Sequence, residues 1–122
     1  MQLAEDTNSN PITINAYGKG CLKINQQEYR EAVVVTCHEL ILGKTPSNAN
    51  ELRLSHLQFV IEKKPEVLII GTGETLIFLD PEMTTALQQQ NIGIEIMNTS
   101  AACRTLSILM TDNRDCMGIL FI

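Results

Sequence analysis

Apolar and polar residues alternate over residues 12–17, the period of a strand with one face in water. Gly18 and Gly20 punctuate it, residues 22–24 predict a second short strand, and residues 25–28 the turn into a third over 29–36. Connections this short join antiparallel neighbours, so the front of the chain is expected to be a meander. Periodicity lapses over 37–50, where Gly43, Pro46, Ser47 and Asn48 mark an irregular connection. Asn50 is then placed to cap a helix whose Leu54, Leu57, Val60 and Ile61 share one face, and Pro65 ends it.

The second half has a different rhythm. Residues 67–70 form a continuous apolar, largely β-branched run, which predicts a strand buried on both faces at the centre of a sheet. Gly71, Thr72 and Gly73 follow, and then an apolar stretch, 75–79, that is expected to be extended. Asp80, Pro81 and Glu82 supply a cap, a first-turn proline and a dipole-complementing acid for a helix that stops near Asn91–Gly93. Residues 94–97 predict a further strand, and Thr99 or Ser100 is expected to cap a helix with Ala102, Leu106, Leu109 and Met110 inward. Residues 117–122 predict the last strand, of undetermined direction. The strands at 67 and 94, separated by a helix, require a parallel right-handed crossover if they share a sheet. The fold class is therefore α/β: one domain over 12–122 with antiparallel strands first and a βαβαβ half after. Residues 1–11 are polar and predict a flexible arm.

Composition adds constraints on partners. Among 122 residues, 44% are hydrophobic and 4% aromatic, so the core must be aliphatic. The net charge is −5 and the nine basic residues are scattered, which argues against nucleic acid, whose backbone requires clustered cations. Cys21, Cys37, Cys103 and Cys116 form no CxxC. With no basic-then-apolar leader at the start, reduced thiols in a cytoplasmic protein are expected. No apolar run approaches the ~20 residues of a membrane-spanning helix.

If the strands at 67 and 94 are parallel, their carboxyl ends share the sheet edge at which open α/β folds bind ligands. Gly71, Thr72 and Gly73 would then meet Asn98, Thr99, Ser100 and Arg104 around one pocket for an anion, with first-turn amides and a guanidinium as donors. The competing reading is that the glycines turn the chain and that Arg104 pairs with a carboxylate such as Glu95 or with a partner. No catalytic residue, metal cluster or cofactor motif is identified. Cys103 is the best candidate for a reactive thiol because a helix N-terminus lowers a thiol pKa, yet no base or resolving cysteine stands near it in sequence.

Pro65-Glu66-Val67-Leu68-Ile69-Ile70-Gly71-Thr72-Gly73, then Gly93-Ile94-Glu95-Ile96-Met97-Asn98-Thr99, then Ala101-Ala102-Cys103-Arg104-Thr105 resemble the MTH-type domain family. Tyr17-Gly18-Lys19-Gly20 and Ile24-Asn25 ahead of Val33-Val34-Val35-Thr36 are similar to its opening hairpin. That family includes the third assembly factor of mitochondrial complex I and uncharacterised bacterial members. The resemblance implies a three-layer domain with a central mixed sheet, no established catalytic machinery and action through protein partners. The chain departs from the family pattern at Leu106-Ser107 and over 75–79. The expected function is that of a non-catalytic, assembly-factor-like interaction protein, linked to respiratory complex biogenesis and meeting an unidentified protein partner through Leu76, Ile77, Phe78 and Leu79 or the 37–50 connection, with homo-oligomerisation as a further reading. The alternative is an anion-binding protein or cryptic enzyme using the Gly71–Gly73 bend, Thr99 and Arg104.

Overall fold

Two sheets and three helices stack in three layers in the computed structural model, which describes residues 12–18 and 20–122. The arm expected at 1–11 lies outside the described residues. β1 (Ile14–Gly18), β2 (Cys21–Ile24) and β3 (Gln27–Tyr29) form the small antiparallel sheet. β4 (Val33–Thr36), β5 (Leu40–Ile41), β6 (Val67–Thr72), β7 (Gly93–Met97) and β8 (Cys116–Phe121) form the central sheet in the order β5-β4-β8-β6-β7. β6 is parallel to both β7 and β8, whereas β4 is antiparallel to β8, so the sheet is mixed.

β8 is apolar throughout, and β6 is apolar up to Gly71, because both faces are covered. Leu68, Ile70, Met117, Ile119, Phe121 and Val34 face the layer of α1 (Gln58–Lys63) and α2 (Pro81–Gln89), where Leu57, Val60, Met83 and Leu87 complete one core. Ile69, Cys116, Leu120, Val33 and Val35 face the opposite way. They meet Leu22 and Ile24 of the hairpin sheet and Ala102, Cys103 and Leu106 of α3 (Thr99–Thr111).

Close approach of α3 explains two glycines. A Cβ on Gly71 would lie 2.8 Å from Thr99 Oγ1, 2.9 Å from Thr99 Cα and 3.0 Å from the Ala102 Cβ. On Gly118, one β-strand away, a Cβ would collide with Leu106 Cδ1. With no side chain at Gly71 and Gly118, β6 and β8 let the helix sink onto the sheet at these two points.

Several expected boundaries move. The strand expected over 29–36 is two strands, because the exposed Arg30 and Glu31 carry the chain from the half-solvated hairpin sheet into the doubly covered central one. The turn is only Asn25-Gln26, both at positive φ (51° and 69°), the geometry of a two-residue hairpin loop. The irregular 37–50 connection contains β5, paired with β4. The helix expected from Asn50 is broken into 3₁₀ turns at Ala49–Glu51 and Leu54–Leu57 ahead of α1. Leu52 is extended there (ψ 134°), and the Arg53 amide donates to His56 Nδ1 at 2.9 Å instead of continuing the ladder. The middle strand of the sheet is β8, with the expected central run, β6, beside it.

Candidate functional site

The Gly71–Gly73 bend is tied down on all sides. Gly73, at φ +108°, donates its amide to Thr99 Oγ1 at 2.8 Å, and its carbonyl accepts from the Thr99 amide at 2.8 Å. The Thr99 hydroxyl in turn donates to the Phe121 carbonyl at 2.6 Å, so one fully buried side chain joins the ends of β6 and β8 to the start of α3. Thr72 is likewise committed: its hydroxyl donates to the Thr75 carbonyl at 2.7 Å and accepts from the Ile77 amide at 3.1 Å. The polar groups expected to greet a ligand are holding the fold together.

Asn98, rather than Thr99 or Ser100, caps α3, accepting from the Ala101 amide at 2.8 Å. With the Thr99 amide bound to Gly73, the Ala101 amide to Asn98 Oδ1 and the Ala102 amide to the Asn98 carbonyl, the first turn has few donors left for an anion.

Arg104 points to a different place. It lies in an open cavity of about 430 Å³ between β1 and α3, with Ile14, Tyr17, Ser100, Cys103 and Ile108, and its guanidinium donates to Ser100 Oγ at 3.0 Å. Gly73 instead lines a cavity of about 450 Å³ with Asn50, Thr72, Glu74 and Thr75, in which no described residue is basic. The single rim expected from the sequence is thus two separate concavities, with Ser100 and Arg104 in one and Thr72 and Gly73 in the other.

The cavity at β1 and α3 contains groups that sequence reasoning passed over. The Tyr17 hydroxyl is buried without a hydrogen-bond partner among the described residues. Burial pushes its pKa above the ordinary value, and Glu74 and Cys103 add to the rise. Only the pairing of β1 with the helix layer brings Tyr17 beside Cys103, so nothing local in the sequence signals it. Cys103 is not activated: burial pushes its thiol up to about 11 against the opposing charge of Arg104.

The apolar stretch at 75–79 divides by direction. It forms no strand. Ile77 and Leu79 pack against the core, and the Ile77 amide is fixed to Thr72. Leu76 and Phe78 face outward, 46% and 88% exposed. Of the four residues proposed for a partner, two anchor the segment and two are displayed by it. Beside Phe78 lies a groove of about 220 Å³ whose lining includes Arg53, Leu54, Asp80 and Glu82. The Asp80 side chain also accepts from the Glu82 amide at 2.9 Å, starting α2 directly after the displayed phenyl ring. In the 37–50 connection, Leu42 is exposed while Ala49 is buried.

The chain is 24% identical over 121 residues to a "13 kDa major membrane protein" of Francisella tularensis, covering 98% of each. Among the described residues no helix is long and apolar enough to cross a membrane. It is 29% identical over 102 residues to human NADH dehydrogenase (ubiquinone) 1 alpha subcomplex assembly factor 3, covering 83% of this chain and 55% of that one, so it spans about half the length of that relative. The solution structure of a Bordetella pertussis protein described as an Mth938-like domain superposes with a TM-score of 0.72 at 26% identity, over 99% of this chain and 89% of that one. The family described as "Protein of unknown function (DUF498/DUF598)" matches residues 14–121, and with the three-layer fold and the Mth938-like neighbour this places the chain in that family.

Proposed function

We propose that this chain is a non-catalytic, assembly-factor-like interaction protein that docks a protein partner through Leu76 and Phe78. The observation that carries the reading is the 88% exposure of Phe78 on a segment fastened from beneath by Ile77 and Leu79. Burying an aromatic side chain of this size is worth about 1.5–3 kcal/mol. A phenyl ring on a fixed backbone offers that energy to a partner with little ordering cost, and Arg53, Asp80 and Glu82 supply a polar rim. The likeness to an assembly factor supports the same reading, with biogenesis of a respiratory complex as the proposed process; the cytoplasm is its proposed setting. Self-association through this segment is the homo-oligomeric version. The test compares Leu76→Ser/Phe78→Ser with the parent chain in affinity capture from the native source, alongside light scattering. Loss of captured partners with an unchanged thermal midpoint is expected; full retention refutes the docking surface.

A second reading is favoured by the cavity between β1 and α3, where an apolar lining, the Tyr17 hydroxyl, without a partner among the described residues, and Arg104 suit an amphipathic carboxylate. Medium-chain carboxylates should then raise the thermal midpoint, and Arg104→Ala should remove the rise. No rise across chain lengths dismisses this reading.

A further inference from the structure

The ladder between β4 and β8 sets Val35 opposite Gly118 and Thr36 opposite Met117. One rung further in the same antiparallel register, Cys37 stands opposite Cys116. Residues directly opposite in such a ladder lie about 4.5–5.5 Å apart at Cα, within the roughly 4.4–6.8 Å that a disulfide spans without backbone movement. Opposed residues also project to the same side of a sheet, and both cysteines belong to the layer beneath the hairpin and α3.

Three further facts bear on the pair. The Cys37 backbone is fixed, its carbonyl accepting from the Ile12 amide at 2.8 Å, while the Thr36 amide donates to the Glu39 carbonyl at 2.9 Å to close the bend that follows. The Cys37 thiol is half-buried and donates to the Arg114 carbonyl at 3.4 Å, whereas Cys116 is buried. Burial raises the Cys116 thiol to about 12, and the Cys37 thiol, within hydrogen-bonding contact, adds to the rise. An oxidant therefore meets Cys37 first, with Cys116 waiting behind it as the partner.

We propose that Cys37 and Cys116 are a redox modification site, forming a reversible disulfide across the β4–β8 ladder when the protein meets a peroxide. The Cys37 sulfur attacks one peroxide oxygen, the O–O bond breaks, and a sulfenic acid and one water result. The Cys116 sulfur then attacks the Cys37 sulfur, the S–O bond breaks, and the hydroxyl leaves as a second water with the Cys116 proton. Two thiols lose two electrons and the peroxide gains them. Cys103, with no thiol on an adjoining rung, is the internal control on α3, and Cys21 the control on β2.

The test treats the reduced full chain with a few equivalents of hydrogen peroxide, alkylates the remaining thiols and maps peptides without reduction. The four thiols should fall to two, with a mass loss of about 2 Da for the disulfide, one cross-linked pair containing Cys37 and Cys116, and full return with dithiothreitol. Cys21→Ser/Cys103→Ser should cross-link as the parent does. Cys37→Ser should abolish the reaction, and Cys116→Ser should stop at a sulfenic acid trapped by dimedone. The thermal midpoint of the oxidised parent should rise by about 5 °C or more, since the bond closes a long loop. Sulfinic acid at Cys37 without a cross-link, a cross-link through Cys21 or Cys103, or four alkylated thiols after treatment would each overturn the proposal, and all three are read on the parent chain irrespective of whether a variant folds.

Discussion

The Gly71–Thr99 junction and the Leu76–Phe78 segment lie within a few residues of each other along β6 and its exit, yet they treat their side chains in opposite ways. At the junction the Gly73 amide, the Thr99 hydroxyl and the Phe121 carbonyl all find their partners inside the molecule, and the missing Cβ of Gly71 is filled by Thr99 and Ala102. In the segment, a large apolar side chain is left almost wholly in water although its neighbours on both sides are anchored. The difference teaches that glycine and hydroxyl residues at a strand end serve the packing of α3 here, and that the unspent interaction energy sits one turn of chain later.

The junction should be the less forgiving of the two. Thr99→Val keeps the shape but leaves the Gly73 amide and the Phe121 carbonyl buried without a partner, at about 1–3 kcal/mol for each group. At roughly 4 °C per kcal/mol for a domain of this size, calorimetry should show a fall in midpoint on the order of 10 °C. Gly71→Ala comes next, at about 1–3 kcal/mol of overpacking, because the Thr99 backbone cannot move aside. Leu76→Ser/Phe78→Ser should shift stability by no more than about 0.5 kcal/mol in urea unfolding, as expected for exposed positions. A larger loss would mean that the segment packs as the junction does.

The smallest effect belongs to a surface pair away from both regions. Arg114 Nε donates to Glu66 Oε1 at 3.1 Å and, with its charge and the Asp115 backbone, holds the Glu66 carboxyl below the usual carboxylate range. A lowered folded-state pKa stabilises above the unfolded pKa and is lost as pH falls through the folded value. The midpoint difference between the parent and Arg114→Gln should therefore be present at neutral pH and vanish in acid. A carbon-detected titration of Glu66 should show its midpoint rise in the variant.

Legibility in the sequence follows how local each cause is. The runs in β6 and β8 could be read because a strand covered on both faces needs apolar residues throughout, and the start of α2 because Asp80, Pro81 and Glu82 act within one turn. The division of 29–36 between two sheets could not, since Tyr29 and Val33 are both ordinary strand residues and only tertiary packing decides which sheet receives each. Asn98 and Thr99 are both good caps, and what decides between them is the Thr99 bond to Phe121, from the far end of the chain. The same holds for the candidate sites. Arg104 was recognisable as a scarce cation on α3, but its separation from Gly73 depends on where β1 lies. Cys37 and Cys116 are remote in sequence and meet only through the register of β4 on β8.

A photo-crosslinking amino acid placed at Phe78, and in a second protein at Arg104, gives the sharpest comparison when both are irradiated in extract from the native source. A discrete covalent adduct with a partner protein from position 78, absent from position 104, is the predicted result. Adducts from position 104 alone, or from neither position while the chain still co-purifies with a partner, would contradict the assignment of the displayed phenyl ring as the docking point.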